Sequence, residues 1–342
     1  MKLRGAISGF GEVAARAHLP GWRTREQILL QVVHEPVAAR RHEAINLIAG
    51  VRVYDDLELM LDGEAPDLVD IASPPAFHAE TARLALAAGA HVLVEKPLCF
   101  TLEEFDALTR LAVERGRVLM CVHNWRFAPA YVAARRAIES DAIGAVRRIS
   151  IDRLRTEPAG AGGSGASWRR SAKSGGGILI DHGWHVFYLM QWLLGGERPA
   201  SVSAQLAESG DADDLANLQV TFRGGVEARS QLSWRAPSRR TTASIEGERG
   251  TLEIDGGRVR LIRPAGAADL VVQPDPDDSY HATWFAAVAE EFEQAIAQGP
   301  AGPIAVTNLA EARSSLALII AARQSAAAGG ARVGLGDFSL GG

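Results

Sequence analysis

The feature of this sequence that most constrains its fold is a regular alternation of short apolar segments with helical stretches over residues 2–122. Alternation of this kind implies a parallel sheet with helices on both faces, because each parallel connection must cross over the sheet. The pattern therefore predicts a doubly wound domain of the Rossmann type. The predicted strands are 2–8, 28–33, 51–54, 68–72, 91–94 and 118–122, and the predicted helices begin at Glu12 and otherwise cover 37–49, 57–61, 76–88 and 102–115.

After residue 122 the pattern changes to period-two segments that lack a helix between successive strands, which predicts a mostly antiparallel sheet. Since 342 residues exceed the size at which a single core usually stops growing, two domains are expected. The prediction is an α/β chain with a doubly wound Rossmann domain over 1–122 and an α+β domain with a large, mostly antiparallel open sheet over 123–342. The strands predicted there are 146–155, 200–206, 217–222, 226–234, 241–246, 251–254 and 258–262, with helices over 181–194, 280–297 and 308–327.

Charge and composition exclude several classes of partner. The net charge of −5 and the pI of about 6.0 give no basic surface for nucleic acid or for an anionic membrane. The first glycines come too early for a signal peptide, and no apolar run is expected to span a bilayer. Two cysteines cannot form a disulfide framework. We expect a cytoplasmic protein that binds a small molecule and has no nucleic-acid or membrane partner.

A glycine motif joins the first predicted strand to the first predicted helix, with the sequence Gly9-Phe10-Gly11-Glu12-Val13-Ala14. In a dinucleotide-binding turn the first glycine permits the tight turn and the second lets the backbone approach a pyrophosphate at the helix N-terminus. A plain turn is the alternative. The position of Glu35, about 24 residues beyond Gly11, favours the dinucleotide, since a carboxylate there can bond the adenosine ribose. Its charge favours NAD, although Arg40 and Arg41 leave NADP open.

Two further groups of residues suggest acid/base chemistry. Lys96 lies at the carboxyl end of a predicted strand, where doubly wound folds bind ligands. Asp181 and His185 are four residues apart after a glycine run, so a helix would place both on one face. The alternatives are a solvated lysine and a structural Asp–His pair. A zinc site using His182 is not predicted, because its spacing to His185 differs from the zinc motif of helices.

In combination these motifs resemble the Gfo/Idh/MocA oxidoreductases, the group named for glucose-fructose oxidoreductase, inositol dehydrogenase and a rhizopine-catabolism protein. The resemblance extends over nearly the whole chain. It rests on Gly9-Phe10-Gly11 with His18 and Pro20, Ala72-Ser73-Pro74-Pro75 with His78, Glu95-Lys96-Pro97, Asn124-Trp125-Arg126-Phe127, Trp168-Arg169, and the run Gly175-Gly176-Gly177 before Asp181 and His185.

The resemblance implies roles for individual residues. Lys96 would orient the reacting hydroxyl, His185 would exchange its proton, and Asp181 would support His185 or bind an adjacent hydroxyl. The bond before Pro97 would be cis. The residues implied to bind the cofactor are Gly9, Phe10, Gly11, Glu12, Val13, Glu35, Ser73, Pro74, His78, Glu95, Lys96, Trp168 and Arg169. Those implied to bind the substrate are Lys96, Arg126, Asp181, His185 and Tyr280.

The implied activity is reversible oxidation of a secondary alcohol of a sugar, sugar acid or cyclitol with NAD or NADP. Two alternatives stay open: a redox-neutral NAD-dependent transhydrogenase or glycosidase, and a non-catalytic protein that senses a dinucleotide. The resemblance also implies a homodimer or homotetramer formed through the C-terminal sheet.

Overall fold

The first part of the chain folds into the parallel sheet that the alternating pattern predicts. A computed structural model describes residues 2–159, 166–208, 210–270 and 280–336. Within these residues the first sheet has six strands in the order β3-β2-β1-β4-β5-β6, and all its pairs are parallel. Its strands are β1 (Leu3–Ser8), β2 (Ile28–His34), β3 (Arg52–Tyr54), β4 (Leu68–Ile71), β5 (His91–Val94) and β6 (Leu119–Cys121).

The helices between these strands explain why the central strands are fully buried. Every residue of β4, β5 and β6 is buried, because helices cover both faces of a doubly wound sheet. The first helix contains a π turn, Ala14–His18, before its last α-helical turn. The α-helices of this part are α1 (Leu19–Trp22), α2 (Ala38–Leu47), α3 (Leu57–Glu64), α4 (His78–Ala87) and α5 (Leu102–Glu114).

The second sheet of the described residues has nine strands in the order β14-β13-β12-β11-β7-β10-β9-β8-β15. It is antiparallel except for the parallel pair of β7 with β10. The sequence prediction omitted the helices α6 and α7, the latter in a segment expected to be a Gly/Ser-rich loop, and the strands β14 and β15. The remaining elements are α6 (Pro129–Glu139), β7 (Val146–Leu154), α7 (Ala166–Arg169), α8 (Trp184–Leu193), β8 (Pro199–Glu208), β9 (Asp213–Phe222), β10 (Glu227–Ser233), β11 (Arg240–Gly247), β12 (Thr251–Asp255), β13 (Arg258–Arg263), β14 (Gly266–Leu270), α9 (Ala282–Gln298), α10 (Pro303–Ala327) and β15 (Val333–Gly334).

Alternate residues of this sheet are buried, as in β10, where Ala228, Ser230 and Leu232 are buried and the residues between them are exposed. The apolar residues face inward within their own unit. The opposite face carries serine, asparagine, glutamine and arginine, among them Ser203, Asn217, Gln219, Arg229 and Gln231, which line a shallow pocket. Where these residues lie, the outer face of the sheet is polar.

Contacts divide the chain into one unit of residues 1–124 and 278–312 and another of residues 125–277 and 313–342. The sequence division at 122 had left 278–312 with the second domain. This segment joins the first unit because Phe285 of α9 stacks on His18, with ring centroids 3.8 Å apart, and contacts Trp22 edge-on. Such contacts join residues far apart in sequence, which local periodicity does not reveal.

Helix α10 is long and apolar enough, by length and composition, to cross a membrane. The sequence analysis predicted that no apolar run is long enough to span a bilayer, and α10 does not agree with that prediction. In the structure 61% of the most apolar stretch of α10 is buried inside the protein, and buried core helices pass the same test of length and composition.

Asn308 of α10 completes the edge of the parallel sheet at β6. Its Oδ1 accepts from the Cys121 N–H at 2.8 Å and its Nδ2 donates to the Cys121 carbonyl at 2.9 Å, both buried. An asparagine side chain thereby replaces the missing neighbouring strand.

We predict that Asn308→Leu lowers the free energy of unfolding by about 2 to 5 kcal/mol, because it leaves a buried N–H and a buried carbonyl without partners. Denaturant unfolding measures the change. Thr307→Ala, at an exposed position of the same helix, serves as the control and is expected to change little. Equal stability of Asn308→Leu and the wild type would contradict the prediction.

Candidate functional site

The glycine turn after β1 is held tightly against the end of β4. Gly9 has a φ of +88°, and a Cβ atom placed on it would lie 2.5 Å from the backbone nitrogen of Ser73. Both the backbone conformation and the close approach therefore require glycine. Gly11 is different, since its Cβ would meet only the Arg40 guanidinium, 3.7 Å away. The backbone at the start of the helix is thus open to a ligand, which fits the predicted pyrophosphate position.

Glu35 links the glycine turn to the end of β2. Its side chain is buried, with Oε2 accepting from the Phe10 N–H at 2.7 Å and Oε1 from the Val37 N–H at 2.9 Å. Each carboxylate oxygen keeps a second lone pair that can accept from a ribose hydroxyl. The Arg40 guanidinium lies 4.0 Å from Oε2. Arg41 instead donates to backbone carbonyls, those of Glu35 and Pro36.

His78 ties the loop after β4 to the loop after β5. Its Nε2 lies 2.7 Å from the Ser73 carbonyl and its Nδ1 lies 2.7 Å from the Pro97 carbonyl. Burial lowers the pKa of His78. The bond between Lys96 and Pro97 is cis, as the family resemblance implies. The Ser73 hydroxyl is buried and has no partner in the described part of the chain. An unsatisfied hydroxyl beside an open glycine turn fits a dinucleotide as its partner.

A buried charged network lies beneath Lys96. The Nδ1 atom of His18 lies 2.9 Å from Asp70 Oδ2, and its Nε2 atom lies 3.2 Å from Glu95 Oε1. Asp70 also accepts from the indole N–H of Trp22 at 2.7 Å. The second oxygen of Glu95 accepts from the backbone N–H of Lys96 at 3.0 Å. The network therefore joins the first helix, β4 and the residue at which the catalytic lysine is predicted.

The two carboxylates determine the charge of His18. Burial alone would lower its pKa, but Asp70 and Glu95 outweigh burial and raise the pKa to about 9. His18 is thus an imidazolium at neutral pH. For Glu95 burial acts to raise the pKa, but His18 and Lys96 hold it below its usual value.

In the second unit the glycine run packs against the backbone of α7. A Cβ atom on Gly176 would lie 2.4 Å from the carbonyl oxygens of Trp168 and Arg169, and the Gly177 N–H donates to the Arg169 carbonyl at 2.9 Å. A Cβ atom on Gly177 would collide with the Asp213 carboxylate at 2.3 Å. Residues 160–165 of the Gly/Ser-rich loop before α7 lie outside the described residues.

This packing places Arg169 beside Asp181. Arg169 Nε lies 3.2 Å from Asp181 Oδ2, and the Arg169 guanidinium covers the ring of Trp168, 4.3 Å from its centroid. His182 Nε2 lies 3.8 Å from the same carboxylate oxygen. Asp181 belongs to a π turn, Leu179–Gly183, that leads into α8. The predicted helix is present, but it begins with this wider turn, a feature often found at functional sites.

His185, the first-turn histidine of α8, is fixed by two aromatic residues. Its Nδ1 lies 3.0 Å from the hydroxyl of Tyr188, and its ring stacks on Trp125 with centroids 4.0 Å apart and planes within 3°. The Tyr188 oxygen also accepts from the backbone N–H of Trp125 at 2.9 Å. The sequence analysis gave Tyr188 no role, although it follows His185 by three helical positions, a spacing that brings side chains together.

The remaining predicted site residues divide between the two units. In the first unit the Tyr280 hydroxyl donates to Glu12 Oε2 at 2.6 Å, and Arg16 lies over its ring. Tyr280, predicted to bind substrate, thus adjoins the glycine turn. In the second unit Arg126 is buried and lies over the ring of Phe127. Arg169, predicted to bind the cofactor, adjoins Asp181, and Trp168, with the same predicted role, lies under the Arg169 guanidinium.

The raised pKa of His18 predicts a pH dependence of stability. The pKa of His18 is about 9 in the folded protein, against an ordinary value of 6.5 in the unfolded chain. Protonated His18 therefore stabilises the fold fully below pH 6.5, and this stabilisation is lost as the pH rises through 9. We expect the wild type to exceed His18→Gln in unfolding free energy by an amount of the order of 3 kcal/mol at pH 6, and by much less at pH 10.

Denaturant unfolding at a series of pH values tests this. The control is His42→Gln, at an exposed position of α2, for which the difference from wild type is expected to be flat. A flat difference for His18→Gln as well would show that His18 is not charged in the folded state.

Comparisons with known proteins agree with this architecture. A family model described as an oxidoreductase family with an NAD-binding Rossmann fold matches residues 3–123, and a model of the GFO/IDH/MocA C-terminal domain matches residues 131–253. A D-glucoside 3-dehydrogenase of Escherichia coli (strain K12) is 32% identical over 59% of this chain and 57% of its own length. A levoglucosan dehydrogenase of Pseudarthrobacter phenanthrenivorans is 31% identical over 62% of this chain and 50% of its own length.

Among solved structures, an oxidoreductase from Agrobacterium radiobacter in complex with NAD+, L-tartaric acid and magnesium is similar in fold. It has a TM-score of 0.86 at 20% identity and covers 99% of this chain and 100% of that one. The shared fold includes both the parallel and the mostly antiparallel sheet.

Proposed function

Because the chain belongs to the Gfo/Idh/MocA family of NAD(P)-dependent oxidoreductases, we propose that it oxidises a secondary alcohol of a sugar, sugar acid or cyclitol, with Lys96, Asp181 and His185 as its catalytic residues. The related glucoside and levoglucosan dehydrogenases support a carbohydrate substrate. The observation that carries the proposal is the fixed environment of each catalytic group: Lys96 beside the buried network of His18, and His185 between Trp125 and Tyr188.

The first unit provides the cofactor site in this proposal. The open turn at Gly11 receives the pyrophosphate, Glu35 accepts from the adenosine ribose, and the Ser73 hydroxyl gains the partner that it lacks. NAD is preferred over NADP because the Glu35 carboxylate repels a 2′-phosphate, while the neighbouring Arg40 reduces that repulsion. When bound, the nicotinamide accepts the hydride.

The second unit provides the proton acceptor. In the tautomer with its proton on Nδ1, His185 donates to the Tyr188 oxygen, and Nε2 is the atom that takes the hydroxyl proton from the substrate. Arg169 holds the Asp181 carboxylate so that its remaining lone pairs can accept from a substrate hydroxyl. The substrate loses one hydride and one proton, and its alcohol becomes a ketone.

We further propose that the enzyme is a cytoplasmic homodimer or homotetramer associated through the polar face of its larger sheet. Serine, glutamine and arginine side chains on that face can form an interface of hydrogen bonds. Light scattering tests this, and a monomer would exclude it.

The proposed activity predicts that NADH absorbance rises when purified protein is mixed with NAD and a suitable member of a panel of sugars, sugar acids and inositols. Lys96→Ala should lower the rate by about 10²- to 10⁴-fold, the range typical of a lost acid/base group. Lys2→Ala, at an exposed lysine, is the control and should retain activity.

The other outcomes identify the alternatives. Sugar consumed without net NADH would exclude a net dehydrogenase and support a redox-neutral transhydrogenase or glycosidase. Tight NAD binding with no conversion of any sugar would support a sensor protein. A rate unchanged in Lys96→Ala would remove that residue from the mechanism.

Tyr188→Phe is predicted to lower kcat by roughly 10-fold and to shift the pH profile of kcat, because Nδ1 of His185 loses its partner and the proton is no longer fixed on that nitrogen. Steady-state kinetics between pH 6 and 10 provide the measurement. Tyr54→Phe, in β3 of the other unit, is the matched control. A lower kcat with an unshifted profile would indicate a merely structural role for Tyr188.

A further inference from the structure

Within the part of the chain that the structure describes, Arg153 is a cation with no carboxylate in salt-bridge contact. It lies at the end of β7, half-buried, and its guanidinium covers the ring of Trp125 at 3.8 Å from the centroid. Its only hydrogen bond within the described residues is a long contact of 3.5 Å from Nη1 to Thr241 Oγ1. Its Nε atom is buried and has no partner there. A guanidinium presents five N–H donors, so most of those of Arg153 are available to a ligand.

The surrounding cations increase the attraction for an anion. Arg155 and Arg239 both lie near enough to act with burial in lowering the pKa of Arg153, to about 9. None of the three arginines has a carboxylate within 4 Å among the described residues. Arg155 is engaged otherwise, donating to the carbonyls of Leu154 and Arg240 and to Thr241. The carboxylate of Asp181, which opposes the decrease, pairs with Arg169.

Tyr131 adds a second donor, near enough to Arg153 for the two groups to interact electrostatically. Its hydroxyl is buried and has no partner in the described part of the chain. Burial raises the pKa of Tyr131 to about 12, and the nearby Arg153 and Arg155 oppose that rise. The hydroxyl is thus neutral and able to donate. A buried hydroxyl and a buried guanidinium N–H that both lack acceptors are rare in folded proteins and require a partner.

We infer that Arg153 and Tyr131 bind the carboxylate of an acidic sugar, so that the substrate is a uronic or aldonic acid rather than a neutral sugar. The inference rests on the proposed function. Trp125 contacts both Arg153 and His185. The two groups lie on opposite faces of the Trp125 indole, so a sugar acid held by Arg153 would reach the proposed base around the edge of that ring.

A carboxylate fits the site better than a phosphate does. Its two oxygens match the two parallel N–H bonds that a guanidinium offers. A phosphate carries nearly two charges and needs more donors, and Arg155 already donates hydrogen bonds to Leu154, Arg240 and Thr241.

The test compares matched pairs of ligands by the shift that they cause in Tm in the presence of NADH. The pairs are glucuronate and glucose, galacturonate and galactose, and gluconate and glucitol, with glucose 6-phosphate as the phosphate. We expect the acids to raise the Tm of the wild type and the neutral partners to have little effect at the same concentration.

Substitutions assign the effect to the site. Arg153→Gln is expected to weaken acid binding by roughly 10- to 100-fold, as for a lost charged hydrogen bond, and to leave the weak binding of neutral sugars unchanged. Arg153→Lys keeps the charge and should recover part of the loss, and Tyr131→Phe should weaken acid binding by roughly 3- to 10-fold. The control is Arg148→Gln on the same strand, whose side chain is exposed and pairs with Glu246.

Equal shifts from acids and neutral sugars, no shift from any acid, a shift from the phosphate alone, or undiminished acid binding by Arg153→Gln would each overturn the inference. The outcome is separable from the proposed activity, because binding is read without turnover. Acids that bind through Arg153 but are never converted would contradict the proposed function alone. Neutral sugars oxidised by an enzyme that ignores acids would contradict only the acidic substrate.

Discussion

The buried ion network of His18 with Asp70 and Glu95 is the interaction on which the first unit depends. It places one imidazolium between two carboxylates in a region closed to water. An ion pair in such surroundings is stable only if each charge is compensated, because desolvation of an unpaired charge is severe. The network compensates His18 twice, and Glu95 also receives the backbone N–H of Lys96. The strand end that carries the proposed catalytic lysine is thereby fixed to the helix that follows the glycine turn.

In the second unit, charged side chains are compensated less completely. Asp181 is paired with Arg169, and His185 is held by neutral aromatic neighbours, but Arg153 has no carboxylate partner within the described residues. Trp125 shields one face of the Arg153 guanidinium, a favourable contact for a cation that is partly removed from water. A folded protein gains no stability from leaving such a group uncompensated. Its retention beside the proposed proton acceptor is physically reasonable if a substrate anion completes the pair.

Much of this organisation could be predicted from the sequence because it follows from local rules. The alternation of apolar segments and helices predicted the strands and helices of the parallel sheet and their succession along the chain, and the glycine motif predicted the turn at Gly9. The family resemblance, carried by short motifs, predicted the cis bond before Pro97. The residues around His185 were harder to predict from the sequence. Tyr188 and Arg153 belong to no glycine-rich or charged motif. Each lies in a segment whose sequence is typical of an ordinary helix or strand, so no local pattern indicated a role.

By itself the sequence determined the two sheets, the dinucleotide turn and the family, since periodicity, glycine placement and motif order are properties of neighbouring residues. Only the tertiary structure decided which charges are compensated. In the sequence His18 lies 52 residues from Asp70 and 77 residues from Glu95. Phe285, which stacks on the imidazole, comes from near the other end of the chain. The lack of a carboxylate beside Arg153 among the described residues could be recognised only once its neighbours in space were known. Burial and charge compensation depend on what surrounds a side chain in space, and no local pattern specifies that.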